Sequence, residues 1–545
     1  MKLTLRSALG LIAAPLPIIA LAVAPAHATT PAPQAIRGDV VPAVAHSTLT
    51  GKVAANRSVP VSLSLAVRDQ AALDAFLAQV TDARSPQYKH YLTVQQFAQR
   101  FAPTPTTVAK VRAYLTAQGL KVGKLSANGL TLTADGSAAQ VQQAFGTTLA
   151  TYHDARAGRD YFANTAAPVL PAGIASAVTD VAGLNDYTVF HSNAVKQALP
   201  QATGKASAGL TPTKARSGYN VASAISAGYT GSGQTVGVLE FSGFKQSNIT
   251  TYDKNYSLTP STPVVRSAGG GTTDLSGEDE VELDIEVVQA LAPKAAIKVY
   301  EAPNSDAGEI AVYAALVSDD VPIVSISWGT YEAGETPANR VALDTDFQEA
   351  AAQGQSVFAA SGDSGSDDAG NGGTSVDFPA SDTYVTGTGG TTLTLTSAGA
   401  WSKETAWSGS GGGVSSYFST PSFQSGVNTG GFRSVPDVAA DANPSSGWAI
   451  YSEGAWAEFG GTSAAAPNWA AFTAIYDSEA AAKSEPALGY ANSTIYNLAS
   501  SSDYAGAFHD AKTGSNGGYS AGTGYDKVTG WGSYNGAGFL SAELG

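Results

Sequence analysis

A chain of 545 residues is too long for one ordinary domain and implies two or three. Its 43% hydrophobic content supports a sizeable core and excludes global disorder, while 14% charged residues and 59 glycines suit an exported, loop-rich protein. The absence of cysteine excludes a disulfide framework, a thiol nucleophile and a thiolate metal site, and a net charge of −15 argues against nucleic acid as a partner.

The chain opens with Lys2 and Arg6, an apolar run from Ala8 to Val23 and the small-residue stop Ala26-His27-Ala28. This order describes a secretory signal peptide cut before Thr29, so the protein is expected to be secreted and extracellular. The competing reading, a membrane anchor, is disfavoured by Pro15, Pro17 and Pro25 within the run. No other uninterrupted apolar span of about 18 residues follows, so nothing else is expected to cross a membrane. Residues 1–199 carry 16 basic and 9 acidic side chains, whereas residues 200–545 carry 14 and 36. A basic part ahead of an acidic part is expected to dock by charge complementarity.

Val61 to Val67 alternates as a strand, and Ala71 to Val80 sets Leu73, Phe76, Leu77 and Val80 at helical spacing. Val108 to Leu115 repeats the helical pattern and stops at Gly119. Lys121 to Leu125 and Leu130 to Thr133 flank Ala127-Asn128-Gly129 as a strand pair, and Ala138 to Phe145 is a third helix. These elements make a compact α+β unit of roughly 150 residues without a chemical cluster. Ser192 to Thr213 loses periodicity and reads as an exposed linker. Beyond it, Thr235–Phe241, Ile297–Tyr300, Ile323–Ser327 and Ser356–Ala360 read as buried parallel strands. The helices Val281–Leu291, Glu309–Leu316 and Ala342–Gln353 alternate with them, which predicts an α/β doubly wound sheet with its site at the strand C-terminal ends. The Gly/Ser/Thr-rich stretches at 364–415 and 513–524 read as long loops.

Chemistry concentrates in three places. Gly460-Gly461-Thr462-Ser463-Ala464-Ala465-Ala466-Pro467 leads into a helical run through Ile475. A serine entered through two glycines at a helix start sits where free N–H groups favour developing negative charge, although a simple N-cap is the alternative. A nucleophilic serine needs a base, and His509 is the one histidine beyond the linker. The other candidate base is the acidic run Gly277 to Glu286, where Glu280 and Asp284 share a helix face at i and i+4. Like charges there favour a shared proton, and the alternative is a solvated acidic first turn. Third, Ser361-Gly362-Asp363 ends a buried strand, so Asp363 can point into the crevice, or close an Asx-turn.

These residues together resemble the sedolisin family, the serine-carboxyl peptidases related in fold to subtilisin. Ser85-Pro86, Tyr88, Tyr91-Leu92-Thr93, Gln96-Phe97 and Phe101-Ala102-Pro103-Thr104 are similar to the family's activation prodomain. The serine motif at 460–467 is complete with Gly460 as the variant first residue, and the Glu-x-x-x-Asp pair and Ser-Gly-Asp turn are present in order. The resemblance implies a subtilisin-like catalytic domain behind a ferredoxin-like α+β prodomain. It divides the chain into a signal peptide at 1–28, a prodomain at 29–190, a linker with the maturation cut at 191–212 and a catalytic domain at 213–545. It implies Ser463 as nucleophile, Glu280 as general base, Asp284 as its hydrogen-bonded partner and Asp363 as the oxyanion-stabilising acid. Glu240 and Trp328 would extend the carboxylate network, and the Ser327-Trp328-Gly329 strand would bind the substrate backbone through Ser327 and Gly329.

The resemblance also implies one calcium ion held by the side chains of Asp510 and Asp526 and the carbonyls of Ala511, Gly522 and Gly524. Ala511 stands where the family usually has a branched aliphatic residue; a backbone ligand tolerates that change. The residues themselves leave a plain Asp-capped loop open beside the oxygen-rich metal site. The expected protein is a self-processing zymogen and a monomer. It would act on protein or peptide substrates at acidic pH, with its own prodomain as inhibitor and chaperone. Endopeptidase action is expected ahead of tripeptide release. The rival readings are a neutral-pH hydrolase using His509 and a non-catalytic calcium-binding or adhesive protein on the same fold.

Overall fold

The computed structural model describes residues 32–198 and 209–545. The expected signal peptide and residues 199–208 of the linker lie outside the described residues.

The N-terminal unit runs β1 (Ser58–Leu65), α1 (Gln70–Val80), α2 (Val94–Phe101), α3 (Pro105–Ala117), β2 (Lys121–Leu125), β3 (Thr131–Ser137), α4 (Ala138–Phe145) and β4 (Val178–Ala182). Its sheet has the order β2–β3–β1–β4 with every pair antiparallel, the ferredoxin-like arrangement. Polar caps set the helix starts: Asp69 accepts from the Ala72 N–H at 3.0 Å. Capping boxes at Thr93 and Ser137 begin α2 and α4. Hydrophobic spacing alone does not reveal α2; its capping box does.

The linker is not an open loop over its first half. It forms two short strands, β5 (His191–Ser192) and β6 (Val195–Ala198), and the intervening Asn193 is buried.

The C-terminal domain is built on β7 (Thr235–Glu240), β8 (Val264–Ser267), α5 (Glu278–Leu291), β9 (Ala296–Glu301), α6 (Asp306–Ser318), β10 (Ile323–Ile326), β11 (Trp328–Tyr331), α7 (Pro337–Gln353) and β12 (Ser356–Ala360). It continues through β13 (Thr386–Leu395), β14 (Trp401–Ala406), β15 (Val438–Asp441), β16 (Trp448–Ser452), β17 (Ala455–Gly460) and α8 (Thr462–Lys483). The central sheet has the order β8–β9–β7–β10–β12–β13–β14, with β15 beside β13 and β14 as its antiparallel strand. The longer strands β13 and β14 thus lie inside the 364–415 stretch expected to be loop, as does a short one at Asp377–Phe378, because the Thr- and Gly-rich sequence of the longer two lacks a strong apolar period.

Helices α5 and α8 share a core with one face of this sheet, through Val281, Ile285, Val288, Trp469 and Phe472. Helices α6 and α7 cover the other face through Ile310, Leu343 and Phe347. The prodomain sheet rests on α6 and α7: Ser62 Oγ donates to the Ala307 carbonyl at 2.9 Å and Asn128 Nδ2 to Glu349 Oε2 at 2.8 Å. Among the described residues no salt bridge joins this prodomain unit to the catalytic domain; the ion pair that crosses is made by linker residue Lys196 with Glu453. The expected attraction of opposite charge is present at Lys89, which faces Glu543 and Asp477, and is not found where the prodomain sheet meets α6 and α7. Asp39 and Asp180 of the prodomain instead face Asp306, Glu309 and Glu335, all buried.

Candidate active site

The sheet brings three segments to its C-terminal edge: the start of α5, the end of β12 and the start of α8. Ser463 lies in the first turn of α8 and is fully buried in the precursor. Its Oγ donates to Glu280 Oε2 at 2.8 Å. Gly461 enters the turn at φ 90°, and a Cβ there would lie 2.1 Å from the Asn193 carbonyl oxygen and 2.5 Å from Asp363 Oδ2. Glycine is thus required both for the backbone conformation and for the space where these two oxygens converge. Pro467, one turn on, has no N–H to offer the Ser463 carbonyl. The Ser327 Oγ lies 3.4 Å from that carbonyl oxygen, with its proton directed to Asp284.

Helix α5 is not a solvated acidic turn. Glu280, Glu282, Asp284 and Glu286 are all fully buried. Glu278 in its first turn pairs with Lys245 at 2.7 Å, and Glu282 accepts from Asn248. Asp284 accepts the one Ser327 hydroxyl proton between its two oxygens, 2.8 and 2.9 Å from Oγ, and faces the buried Glu240 carboxyl, whose pKa its charge raises. Glu240 in turn accepts from the Trp328 indole N–H at 2.8 Å. Burial first, then repulsion from Asp284, pushes the Glu280 carboxyl well above its ordinary range, while the hydroxyls of Ser192 and Ser463 pull it back. Burial also raises Asp284 and Glu240, so the three carboxyls titrate as one unit holding shared protons. Serine, Glu280, Asp284, Glu240 and Trp328 therefore form one connected chain. Asp284 acts on Glu280 through charge, and its direct partners are Ser327 and Glu240.

Asp363 stands on the other side of Ser463. Its Oδ1 accepts from the Thr462 N–H at 2.7 Å and the Thr462 hydroxyl at 2.8 Å, and its buried Oδ2 has no protein partner among the described residues. Burial raises its pKa to about 7 against these two hydrogen bonds, with Asp368 adding repulsion. In acid Asp363 is neutral, with a proton on the oxygen that faces the space beside Gly461. Asp368 and Asp377 lie behind it as two further buried carboxyls, the first raised to about 7 by burial.

The linker passes through this site. β5 pairs antiparallel with β11, His191 opposite Gly329 and Ser192 opposite Trp328. The Asn193 N–H donates to the Ser327 carbonyl at 3.1 Å, and the Asn193 carbonyl accepts from the Ser463 N–H at 3.1 Å. β6 then pairs with β17, Val195 opposite Gly460. The Ser192 hydroxyl also donates to Glu280 Oε2, the oxygen that Ser463 uses. Neither Ser192 nor Asn193 was legible as a site residue, since both sit in a stretch without periodicity.

His509 takes no part. It is stacked on Trp401 with ring centroids 4.1 Å apart, and burial lowers its pKa to about 4. In the C-terminal loops, Asp510 Oδ2 accepts from the Gly524 N–H at 3.0 Å and Asp526 Oδ2 from the Gly522 N–H at 3.0 Å. Both carboxylates are thus tied to one turn, 522–526, with Ala511 buried beside it. The two carboxylates are oxygen ligands of the kind a hard cation takes, and here they accept from backbone N–H groups, with Lys512 Nζ 3.8 Å from Asp510 Oδ2.

Residues 45–187 match the family described as the pro-kumamolisin activation domain, and residues 218–532 match the subtilase family. Kumamolisin of Bacillus sp. (strain MN-32) is 33% identical over 95% of both chains. Tripeptidyl-peptidase 1 of Macaca fascicularis is 27% identical over 89% of this chain and 92% of its own. The solved structure of Pseudomonas sedolisin, a serine-carboxyl proteinase complexed with pseudo-iodotyrostatin, is 33% identical and superposes with a TM-score of 0.56, covering 63% of this chain and 98% of that one. Family match, fold and the joined serine and carboxyl groups agree: the chain belongs to the sedolisin family of serine-carboxyl peptidases and carries a pro-kumamolisin-type activation domain ahead of a subtilisin-like catalytic domain.

Proposed function

We propose that this protein is a secreted, acid-active endopeptidase that matures by cutting its own linker between Asn193 and Ala194. The observation that carries the reading is the pair of contacts made by Ser463: its hydroxyl on Glu280 and its N–H on the Asn193 carbonyl. The Asn193 carbonyl carbon is the electrophile. Ser463 Oγ attacks it as Glu280 Oε2 takes the hydroxyl proton, while Asp284 and Glu240 keep theirs. Negative charge grows on the carbonyl oxygen, where the Ser463 N–H and the neutral Asp363 donate. Glu280 then returns its proton to the departing Ala194 nitrogen, and water, deprotonated by the same carboxylate, hydrolyses the acyl-enzyme.

Endopeptidase action is supported by the length of chain the cleft holds. Phe190, three residues before Asn193, is bonded through both its N–H and carbonyl to Asn304 at 2.9 Å, so the cleft accepts substrate beyond a tripeptide. In the precursor the Ser192 hydroxyl shares the oxygen of the base, which favours latency. A calcium ion at Asp510, Asp526 and the carbonyls of Ala511, Gly522 and Gly524 would brace the C-terminal loops and supplies no chemistry to the bond cleavage.

The test is incubation of the purified precursor at pH 4, with Ser463→Ala alongside, followed by N-terminal sequencing and peptide-cleavage profiling. The expected result is a new N-terminus at Ala194 from the unsubstituted precursor and none from the variant. Maturation elsewhere within the folded precursor would overturn the register, and digestion of peptides by Ser463→Ala would overturn the mechanism.

A further inference from the structure

Past the bond opposite Ser463, the linker continues as β6 along β17, and its third residue, Lys196, lands on a built surface. Lys196 Nζ pairs with Glu453 and lies 5.5 Å from the centroid of the Phe459 ring. Glu453 and Gly454 form the two-residue turn between β16 and β17, and both have positive φ, 53° and 77°. Such a turn matches the strand twist and sets the Glu453 backbone at the rim of the cleft. Asp279, in the first turn of α5, is raised by burial, and the charge of Lys196 opposes that shift. Lys196 holds the Glu453 carboxyl below its ordinary range, with Lys245 a weaker second cation whose own partner is Glu278. The register thus sets the third residue past the bond against a carboxylate and an aromatic ring, with the Asp279 carboxyl nearby.

We propose that Glu453, with Asp279 and the Phe459 ring, is a specificity subsite of the mature enzyme that selects a basic side chain three residues past the scissile bond. The proposal rests on the reading of Asn193–Ala194 as the bond presented to Ser463. Main-chain pairing along β17 is indifferent to sequence, because any extended peptide offers the same N–H and carbonyl groups. Selection must come from the side chains, and the third residue past the bond is where a charged partner waits. The pair is half-exposed, with Lys196 at 33% and Glu453 at 55% side-chain exposure, so the preference is graded and salt-sensitive.

The test uses the mature enzyme and three octapeptides with the sequence of residues 190–197, carrying Lys, Gln or Glu at position 196. The expected kcat/KM is about two- to fivefold lower for Gln than for Lys at low salt, and lower again for Glu. Adding 0.5 M salt should shrink these differences to about half or less. Glu453→Gln should abolish the preference and Glu453→Lys should reverse it in favour of the Glu peptide, a result that a misfolded enzyme cannot give. Equal cleavage of all three peptides by the unsubstituted enzyme overturns the subsite alone. Cleavage of none at Asn–Ala, while an acid-denatured protein is digested, overturns the register and the subsite with it.

Discussion

In the proposed mechanism Ser463, Glu280 and Asp363 divide the work through their surroundings. Ser463 is held by a helix start, and a proline one turn on leaves its carbonyl without a helical donor. Removing the hydroxyl leaves nothing to form an acyl-enzyme, so Ser463→Ala should lower kcat on peptides by about 10⁴-fold or more and stop self-processing. Glu280→Gln should be comparably inactive at every pH, because an amide cannot take the proton; near-native turnover in a continuous peptide assay would refute the base assignment. Asp363 must be neutral to donate, and its pKa is raised to about 7 by burial. The sign follows: the donor is present below that value and is lost as pH rises through it. Activity should therefore peak in acid and fall towards neutrality while the fold persists. Asp363→Asn, whose amide donates without titrating, should cost about 10²-fold in kcat at pH 4 and move the alkaline limb upward. A pH–rate profile of the variant that overlays the unsubstituted one would remove Asp363 from the oxyanion site.

At the scale of elements, α5 carries the proposed base and α8 the proposed nucleophile, and both helices are buried on nearly every side. Helix α8 reads Thr-Ser-Ala-Ala-Ala-Pro and is lined by Ala466, Ala470, Ala471 and Ala474, all fully buried, which lets it lie close under the sheet. Helix α5 places Glu280 and Asp284 a turn apart, and its first-turn carboxylates favour the helix N-terminus. The C-terminal loops behave as a third element: Asp510 and Asp526 both grip the 522–526 turn, and a bound cation would neutralise the two carboxylates. Calcium removal should lower the melting temperature by about 5 °C or more and increase proteolytic nicking within 510–526. A melting curve unchanged by chelator, with calcium-free protein verified by metal analysis, would rule out the site.

For the whole molecule, the prodomain contact sets a pH dependence that net charge does not foretell. Opposite net charges predict an attraction that weakens on acidification. The contact between the prodomain sheet and helices α6 and α7 has the opposite sign. Burial and mutual repulsion raise Asp180 and Glu335 to about 8 and Asp306 to about 6, and push Asp39 and Glu309 upward too. The Arg340 charge opposes this only at Glu335. Each carboxyl binds its proton more tightly folded than unfolded, where the pKa is about 4. Their contribution to stability is complete below that value and is lost as pH rises through about 6 to 8. The Ser463→Ala precursor should therefore resist urea better at pH 4.5 than at pH 8, by on the order of 2 kcal/mol, and Asp180→Asn with Glu335→Gln should flatten the difference. Greater stability at pH 8 would contradict this account. On the proposed function, maturation in acid would then follow from the chemistry at Ser463 and not from loosening of the prodomain.

The sequence by itself determined the two units, the alternation of strands and helices that makes the doubly wound sheet, and the Ser463, Glu280, Asp284 and Asp363 constellation. Each of these rests on local pattern: a period, a cap, or a short motif whose residues are neighbours in the chain. The tertiary structure decided what depends on distant partners. Glu280 looks like a solvated helix start until the linker and α8 cover it, and Asp284 meets Ser327 and Glu240 only across the sheet. Ser192 to Ala198 has no period because its order comes from pairing with β11 and β17, edges that composition cannot reveal. Strands β13 and β14 are likewise held by their neighbours, not by an apolar rhythm. The interface carboxyls were counted in the net charge as if ionised in water, and only their common burial shows that the contact runs on protons.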